Sequence, residues 1–292
     1  MILIYFIMIS LLIANDKEKK NAPTFNILED KLNLKFEVKS DVIPDNPNIE
    51  LLNAQIDEIK EKAKNFVPKS VTNTDIIIIK TSHGTMKLKF YPAKAPNHCY
   101  NFKKLANSGY YDKTIFHRVI PGFMIQGGDI LSRDDSPEND GRGGPGWTID
   151  QEFNDIRHER GVLSMARSRD INSAGSQFFI CVDQAYHLDG KYTAFGKLID
   201  GDEVLDAITN IPSEAKQMFK LFKTKAPDGK ENEDWIIYNY QGKDYFLNLP
   251  KTTTANIYKN KISSSLKNKS RPYIPIIIKS IRVIDSNDIL DE

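Results

Sequence analysis

The feature that most constrains the fold is a series of short strand patterns punctuated by glycine between residues 75 and 198. It begins with IIIIKTSHGTMKLKFY, where two alternating apolar stretches meet at Ser82-His83-Gly84 and predict a β-hairpin. One helix is predicted from Pro96 to Gly109 and another from Glu203 to Thr209. Many strands with only two helices favour a sandwich or a closed barrel, and the pattern alone does not choose between them.

Two further regions differ from this strand-rich part. Residues 15 to 74 alternate charged, Asn-rich and apolar stretches around a helical pattern from Ile49 to Phe66, which predicts an extension that is partly helical or disordered. Residues 213 to 271 carry 12 basic and 6 acidic residues around a group of aromatic side chains, and the strand pattern IPIIIKSIRVI follows them. We therefore predict a barrel domain over residues 75 to 292, with a basic, aromatic insertion at 213 to 271 before the last strand.

The N-terminal segment has an apolar run from Ile2 to Ile13, which is shorter than the ~20 residues of a membrane-spanning helix. Such a run is typical of a signal-peptide core, although no basic residue precedes it and Leu12-Ile13-Ala14 matches a cleavage site poorly. We interpret residues 1 to 14 as a signal peptide or short anchor, with a buried strand or helix as the alternative. A signal predicts the endoplasmic reticulum lumen or an organelle reached through it; without one the chain would be cytoplasmic.

Charge and cysteine content argue against several classes of protein. Lys plus Arg (40) nearly balances Asp plus Glu (39), so we expect neither nucleic acid nor a membrane surface as the main partner, apart from the N-terminal apolar segment. The five histidines lack HExxH or HxxxH spacing, and we predict no metal and no other cofactor. No GxSxG motif supports a serine hydrolase. Cys99 and Cys181 are predicted to be buried apolar side chains.

The stretch FHRVIPGFMIQGGD at 116 to 129 combines a fixed cation, apolar side chains, an amide and two glycines. Alternation and the pair Pro121-Gly122 predict a strand followed by a turn. Three more stretches follow in order: GVLSMARS at 161 to 168, SAGSQFFI at 173 to 180 and HLDGKYTAFGKL at 187 to 198. Together the four motifs resemble the cyclophilin family of peptidyl-prolyl cis-trans isomerases. The resemblance covers about residues 75 to 212 and the closing strand near 274 to 284.

The resemblance implies a fold and a function. The fold would be all-β with capping helices, a closed antiparallel barrel of roughly eight strands with a helix at each end. The function would be rotation about X-Pro bonds in proline-containing polypeptides, assisting protein folding. One alternative is a catalytically weak module that binds proline-containing segments of a partner; another is an unrelated barrel whose motifs coincide.

The resemblance also assigns positions, with Arg118 as the catalytic arginine. The proline pocket would be formed by Phe123, Met124, Phe179 and Leu188. Polar contacts to the substrate backbone would come from Gln126 and Gln177, and the strand edge that pairs with the peptide from Ala166 and Arg167. Two further substrate contacts would come from His187 and Tyr192.

Three positions depart from the family pattern. His187 stands where many members carry Trp, so weak cyclosporin binding is expected. Tyr192 stands where many carry His, and either ring can donate a hydrogen bond. Arg167 stands where Asn is frequent, which predicts a preference for acidic flanking residues.

Rotation about an X-Pro bond requires neither a nucleophile nor a metal, because no bond is made or broken. The barrier of about 18–20 kcal/mol reflects lost amide resonance. When resonance is lost, the nitrogen regains a lone pair that can accept a hydrogen bond, and the permanently charged guanidinium of Arg118 could donate it. Gly127 and Gly128 are expected where a side chain would obstruct neighbouring strands.

Overall fold

The computed structural model describes residues 49–134, 137–225 and 234–289. The predicted signal peptide or anchor at 1 to 14 and the first part of the predicted extension lie outside the described residues. Among the described helices, none combines the length and the apolar character needed to cross a membrane.

The described residues form five α-helices and ten strands. The helices are α1 (Ile49–Asn65), α2 (Pro96–Asn107), α3 (Asp202–Thr209), α4 (Glu214–Leu221) and α5 (Ala255–Lys267). The strands are β1 (Asp75–Thr81), β2 (Gly84–Phe90), β3 (Arg118–Ile120), β4 (Met124–Gly127), β5 (Val162–Met165), β6 (Phe178–Cys181), β7 (Ala194–Asp200), β8 (Trp235–Tyr240), β9 (Lys243–Asn248) and β10 (Ile278–Asp285). The predicted hairpin and the predicted helices are confirmed, each to within two residues of its bounds.

Eight strands form one antiparallel, curled sheet in the order β10-β1-β2-β7-β5-β6-β4-β3. The expectation of a closed barrel is corrected, because the strand ladder is open between β3 and β10. An isolated bridge joins Ile115 to Ile277, and the Phe116 N–H donates to the Ile276 carbonyl across the same opening. The final strand also begins at Ile278 rather than at 274. Pro275 has no N–H to donate, so a continuous ladder cannot form there.

Two helices cover the sheet, as predicted. The α2 residues Phe102 and Leu105 and the α3 residues Leu205 and Ile208 are fully buried in the same core as the inward-facing strand residues. Asn107 at the end of α2 exchanges two hydrogen bonds with the backbone of β10. Burial of these aliphatic and aromatic side chains, at roughly 25 cal/mol per Å², is the main stabilising contribution.

The extension reaches the barrel through α1. Ile56 and Ala63 of this helix lie in the barrel core with exposed fractions of 4% and 0%. The Lys104 ammonium on α2 donates to the Lys64 carbonyl at 2.8 Å. The last turns of α1 are therefore fixed against the barrel.

The insertion contains α4, the β8–β9 hairpin and α5. These elements share a separate hydrophobic cluster of buried residues: Met218, Ile236, Leu247, Tyr258, Ile262 and Leu266. The insertion is connected to the barrel by Arg271, whose guanidinium lies 3.2 Å from Asp140 and 3.7 Å from Glu214. The Val119 N–H of β3 also donates to the Ser270 carbonyl at 2.7 Å.

Close approach of the backbone explains the paired glycines that end β4. A Cβ at Gly127 would lie 3.1 Å from the Phe116 ring. At Gly128, where φ is +85°, a Cβ would collide with the Ser176 carbonyl oxygen. A side chain is thus excluded at Gly128, whereas at Gly127 it would have to displace the neighbouring side chains slightly. Cys99 and Cys181 are free thiols and buried, as predicted.

Candidate active site

Strand alternation places the predicted site on the outer face of the sheet. Arg118 on β3 pairs with Gln126 on β4, Gln126 pairs with Phe179 on β6, and Phe179 pairs with Ser164 on β5. The intervening residues, such as Ile125, point into the barrel core instead. The ladder therefore sets a cation, an amide and an aromatic ring side by side in one row.

A chain of hydrogen bonds orients the cation in this row. The Arg118 Nη1 donates to Gln126 Oε1 at 3.1 Å, and Gln126 Nε2 donates to Gln177 Oε1 at 3.0 Å. Gln177 Nε2 in turn donates to the Gly143 carbonyl at 2.9 Å. The Gln126 carboxamide is thus held with its oxygen toward the guanidinium. Among the described residues, Nε and Nη2 of Arg118 have no hydrogen-bond acceptor, so these donors remain available.

Partial burial lowers the pKa of Arg118 below its ordinary value, while Tyr192 opposes this shift. The group remains protonated at physiological pH because arginine titrates far above it. A fixed, partly desolvated donor of this kind interacts more strongly with a developing lone pair than the same group in water.

The predicted proline pocket adjoins this cation. Met124, Phe179 and Leu188 are buried and belong to one outer-face hydrophobic cluster, against which Phe123 and Tyr192 pack. The Phe179 and Tyr192 rings meet edge to face with centroids 5.9 Å apart. The exposed His187 ring lies 5.4 Å from Phe123. All the predicted apolar positions are therefore brought together beside Arg118.

The predicted peptide-pairing edge follows β5. The Ala166 N–H is already used, because it donates to the Gln177 carbonyl at 2.9 Å. The backbone N–H of Arg167 has no partner among the described residues. The Arg167 side chain donates to the Lys191 and Ser168 carbonyls and lies 4.5 Å from the centre of the Tyr192 ring. The Arg167 backbone therefore offers the unpaired donor at this edge.

Sequence reasoning missed a group of three side chains behind the pocket. His158 Nδ1 lies 2.9 Å from Asp189, and its Nε2 lies 2.9 Å from the Ser164 hydroxyl. The His158 ring also stacks on Phe179 at 6.1 Å. Burial lowers the pKa of His158, and Asp189 opposes that shift. Ser164 is fully buried and donates to the Thr193 carbonyl, so the group supports the pocket and presents no accessible nucleophile.

A second group that the sequence did not reveal lies beside Arg118, at the attachment of the insertion. Burial lowers the pKa of His117 to about 4, and neither ring nitrogen has a partner among the described residues. Burial raises the pKa of Asp140 to about 6, although Arg271 opposes the shift. These groups lie in a cavity that also reaches Arg118.

A groove of about 700 Å³ lies on the other side of Gln126. Its walls are the loop from 141 to 148, the edge at 166 to 168, and residues 173 to 177 with Gln177 among them. It has room for the substrate residues that neighbour a bound proline.

The comparisons with known proteins agree with this geometry. The family model for cyclophilin type peptidyl-prolyl cis-trans isomerases matches residues 76–231, more than half of the chain. The chain belongs to this family. Family membership makes isomerisation of peptidyl-prolyl bonds its class of activity, and the eight-stranded antiparallel fold with few helices matches the cyclophilin fold. The individual roles of Arg118 and the pocket residues stay predictions.

Relatives named as peptidyl-prolyl cis-trans isomerases are similar to this chain over most of their own length. A peptidyl-prolyl cis-trans isomerase of Synechococcus elongatus is 47% identical over 134 residues, which is 46% of this chain and 86% of that protein. Peptidyl-prolyl cis-trans isomerase B of Bacillus subtilis is 45% identical over 127 residues, 43% of this chain and 83% of that protein. The longer peptidyl-prolyl cis-trans isomerase-like 2 of Rhizopus delemar is 41% identical, and the match covers only 28% of it.

Proposed function

We propose that this chain catalyses cis-trans rotation about X-Pro bonds in polypeptides through Arg118, and that it assists protein folding in this way. The observation that carries the proposal is the row of Arg118, Gln126 and Phe179 on adjacent strands, with a buried apolar cluster beside it. Slow X-Pro isomerisation limits the folding of many chains, so a catalyst of this step accelerates folding.

The guanidinium acts on the amide nitrogen. In the planar amide the nitrogen lone pair is delocalised and accepts weakly, whereas in the twisted amide it is localised. A donor from Arg118 therefore binds the twisted state more strongly than either planar state, and this difference lowers the barrier. Its bond to Gln126 fixes the direction of the donor before the substrate arrives, which removes reorganisation from the step.

The pocket and the strand edge divide the substrate into a fixed and a moving part. Met124, Phe179 and Leu188 hold the proline ring by apolar contact. The unpaired Arg167 N–H and the Gln126 side chain hold the residue before the proline. One side of the X-Pro bond then stays fixed while the other is free to swing.

The cis-to-trans exchange rate of an Ala-Pro peptide tests the proposal. We expect Arg118→Ala to reduce the exchange rate by about 10²–10³-fold, the range for removing one preorganised donor. Arg169→Ala is the matched control, because Arg169 is exposed and lies outside the site. The proposal fails if Arg118→Ala retains the parental rate. If the folded parent binds proline peptides without accelerating exchange, the chain is instead a binding module.

We also propose secretory entry and weak cyclosporin binding. The apolar run from Ile2 to Ile13 supports the first, and N-terminal sequencing of the protein isolated from its source would contradict it by recovering Met1 in a cytoplasmic fraction. The small, exposed His187 ring supports the second, because it offers less apolar area than an indole. His187→Trp should therefore tighten cyclosporin binding.

A further inference from the structure

Two cavities beside the site share one wall. The groove of about 700 Å³ next to Gln126 and Arg167 extends to the loop at 145 to 147. A second cavity, of about 530 Å³, is lined by the same three loop residues and by Lys104 of α2. A bound polypeptide that leaves the first cavity across Trp147 therefore enters the second.

Helix α1 forms the far wall of the second cavity. It contributes four charged side chains there: Asp57, Lys60, Glu61 and Lys64. The wall is held in place, because Ile56 and Ala63 are buried in the barrel core and Lys104 is bonded to the Lys64 carbonyl. The Lys104 ammonium also lies 5.4 Å from the centre of the Trp147 ring. The helix lies outside the part of the chain that matches the family, so this wall is added to the barrel.

The charged side chains that line the two cavities are mostly positive. Arg142 and Arg167 line the first cavity, and none of its described lining residues is acidic. In the second cavity each acidic residue of α1 faces a lysine of the same helix, at 3.9 and 3.8 Å. Lys104 has no carboxylate partner among the described residues. Three cations thus remain to attract an anionic ligand.

The proposed function sets the direction of the substrate. The residue before the proline lies at Gln126 and Arg167, so the upstream chain enters the first cavity. We propose that α1, Lys104 and Trp147 extend the substrate groove, and that this extension selects an acidic polypeptide segment upstream of the X-Pro bond. The inference rests on the proposed function, because that function fixes where the proline lies.

Peptides of two lengths test this inference. One is a short Ala-Pro peptide; the others carry the same core behind a long upstream segment rich in Glu, Gln or Lys. We expect the Glu peptide to have a KM about five- to tenfold lower than the Gln peptide at low ionic strength, and the Lys peptide to have the highest KM. Added salt should reduce the difference, because the charges are exposed.

Charge reversal locates the contact. The joint variant Lys60→Gln with Lys64→Gln should reduce the preference for the Glu peptide about twofold. Lys104→Glu should reduce it further, while Arg142 and Arg167 stay in place. Lys80→Glu is the matched control, because this exposed lysine on β1 lines neither cavity. The readout is the ratio of KM values for the long and short peptides within each variant. This ratio cancels any effect of the variant on the row of Arg118, Gln126 and Phe179, because both peptides share the same Ala-Pro core.

Equal KM values for the Glu and Gln peptides would overturn the inference, as would a preference that Lys104→Glu leaves unchanged. Fluorescence of Trp147 in Trp235→Phe, titrated with the Glu peptide, gives a second readout that does not depend on turnover. No change in that signal at saturating peptide would also count against the inference. If the parent fails to turn over the short peptide, the proposed function fails instead, and the titration still decides the binding site.

Discussion

The candidate active site and the insertion at 213 to 271 are stabilised in different ways. The candidate active site takes its side chains from adjacent strands, so the ladder that pairs Arg118 with Gln126 and Gln126 with Phe179 also fixes their spacing. The insertion has a separate core and meets the barrel at Arg271 and its neighbours. The geometry proposed for rotation is therefore set by the sheet, whereas the insertion is held together by a core of its own.

The largest loss of stability is expected for a buried ring of the candidate active site, compared with an exposed ring of the insertion. Phe179→Ala removes a ring with an exposed fraction of 5%, and should lower the free energy of unfolding by about 3–5 kcal/mol. Phe219→Ala in the insertion removes a ring that is 44% exposed, and should cost about 0.5 kcal/mol or less. Urea unfolding of both variants measures the difference. Similar losses in the two would contradict the comparison.

A cavity in the insertion core tests whether the two regions unfold separately. Ile262 is fully buried, so Ile262→Ala should destabilise the insertion by about 2–5 kcal/mol. Hydrogen exchange should then accelerate at β8, β9 and α5 while the barrel strands stay protected. The Ala-Pro exchange rate should stay within about twofold of the parent. Loss of barrel protection together with the insertion would show that the two share one cooperative unit.

The buried charges at the junction predict a dependence of stability on pH. The folded pKa of His117 is about 4, below its ordinary 6.5, so between those values the unfolded chain binds more protons and stability rises with pH. Asp140 acts oppositely, because its folded pKa of about 6 exceeds 3.8 and its contribution falls as pH rises through that window.

His117→Phe removes the contribution of His117 to the free energy of unfolding. This contribution rises with pH and amounts to about 3 kcal/mol at most. In the parent the two contributions largely cancel across this window, so we expect stability to fall with pH in the variant, where only the Asp140 contribution remains. Urea midpoints measured across this range test the sign. An unchanged slope would show that His117 does not titrate as a buried neutral group.

The smallest effect is expected at the strand edge. The Arg167 guanidinium is bonded to the Lys191 and Ser168 carbonyls, yet it has no carboxylate partner among the described residues. Arg167→Asn should therefore reduce the preference for acidic residues beside the proline by about two- to fivefold, the scale of one exposed ion pair. Substrate profiling with the parent and the variant measures this. The absence of any acidic bias in the parent would refute the role of Arg167.

Much of the fold could be predicted from the sequence because local patterns decide it. The hairpin that turns at His83-Gly84 and the helix that begins at Pro96 follow from alternation and from the backbone preferences of glycine and proline. The open ladder could not be predicted, because strand closure depends on which backbone groups meet across the opening beside Pro275.

The sequence predicts that Arg118 and Gln126 are neighbours, but it does not reveal the buried groups behind the pocket. Arg118 and Gln126 lie on one outer face because the period of a strand is two residues and the turn between them is short. Asp189 is 31 residues from His158, and only the folded barrel brings them together. That His117 and Asp140 line one cavity likewise depends on where residues 137 to 142 lie. Contacts between distant segments carry no local pattern in the sequence.

The proposed role of Arg118 is to stabilise the twisted amide more than the bound planar substrate. NMR exchange spectroscopy on a saturating Ala-Pro peptide measures the isomerisation rate on the protein separately from Kd. We predict that Arg118→Ala lowers this rate by about 10²–10³-fold and changes Kd by less than about fivefold. A loss of affinity by about 10²–10³-fold with an unchanged isomerisation rate on the protein would contradict this role, because Arg118 would then only bind the substrate.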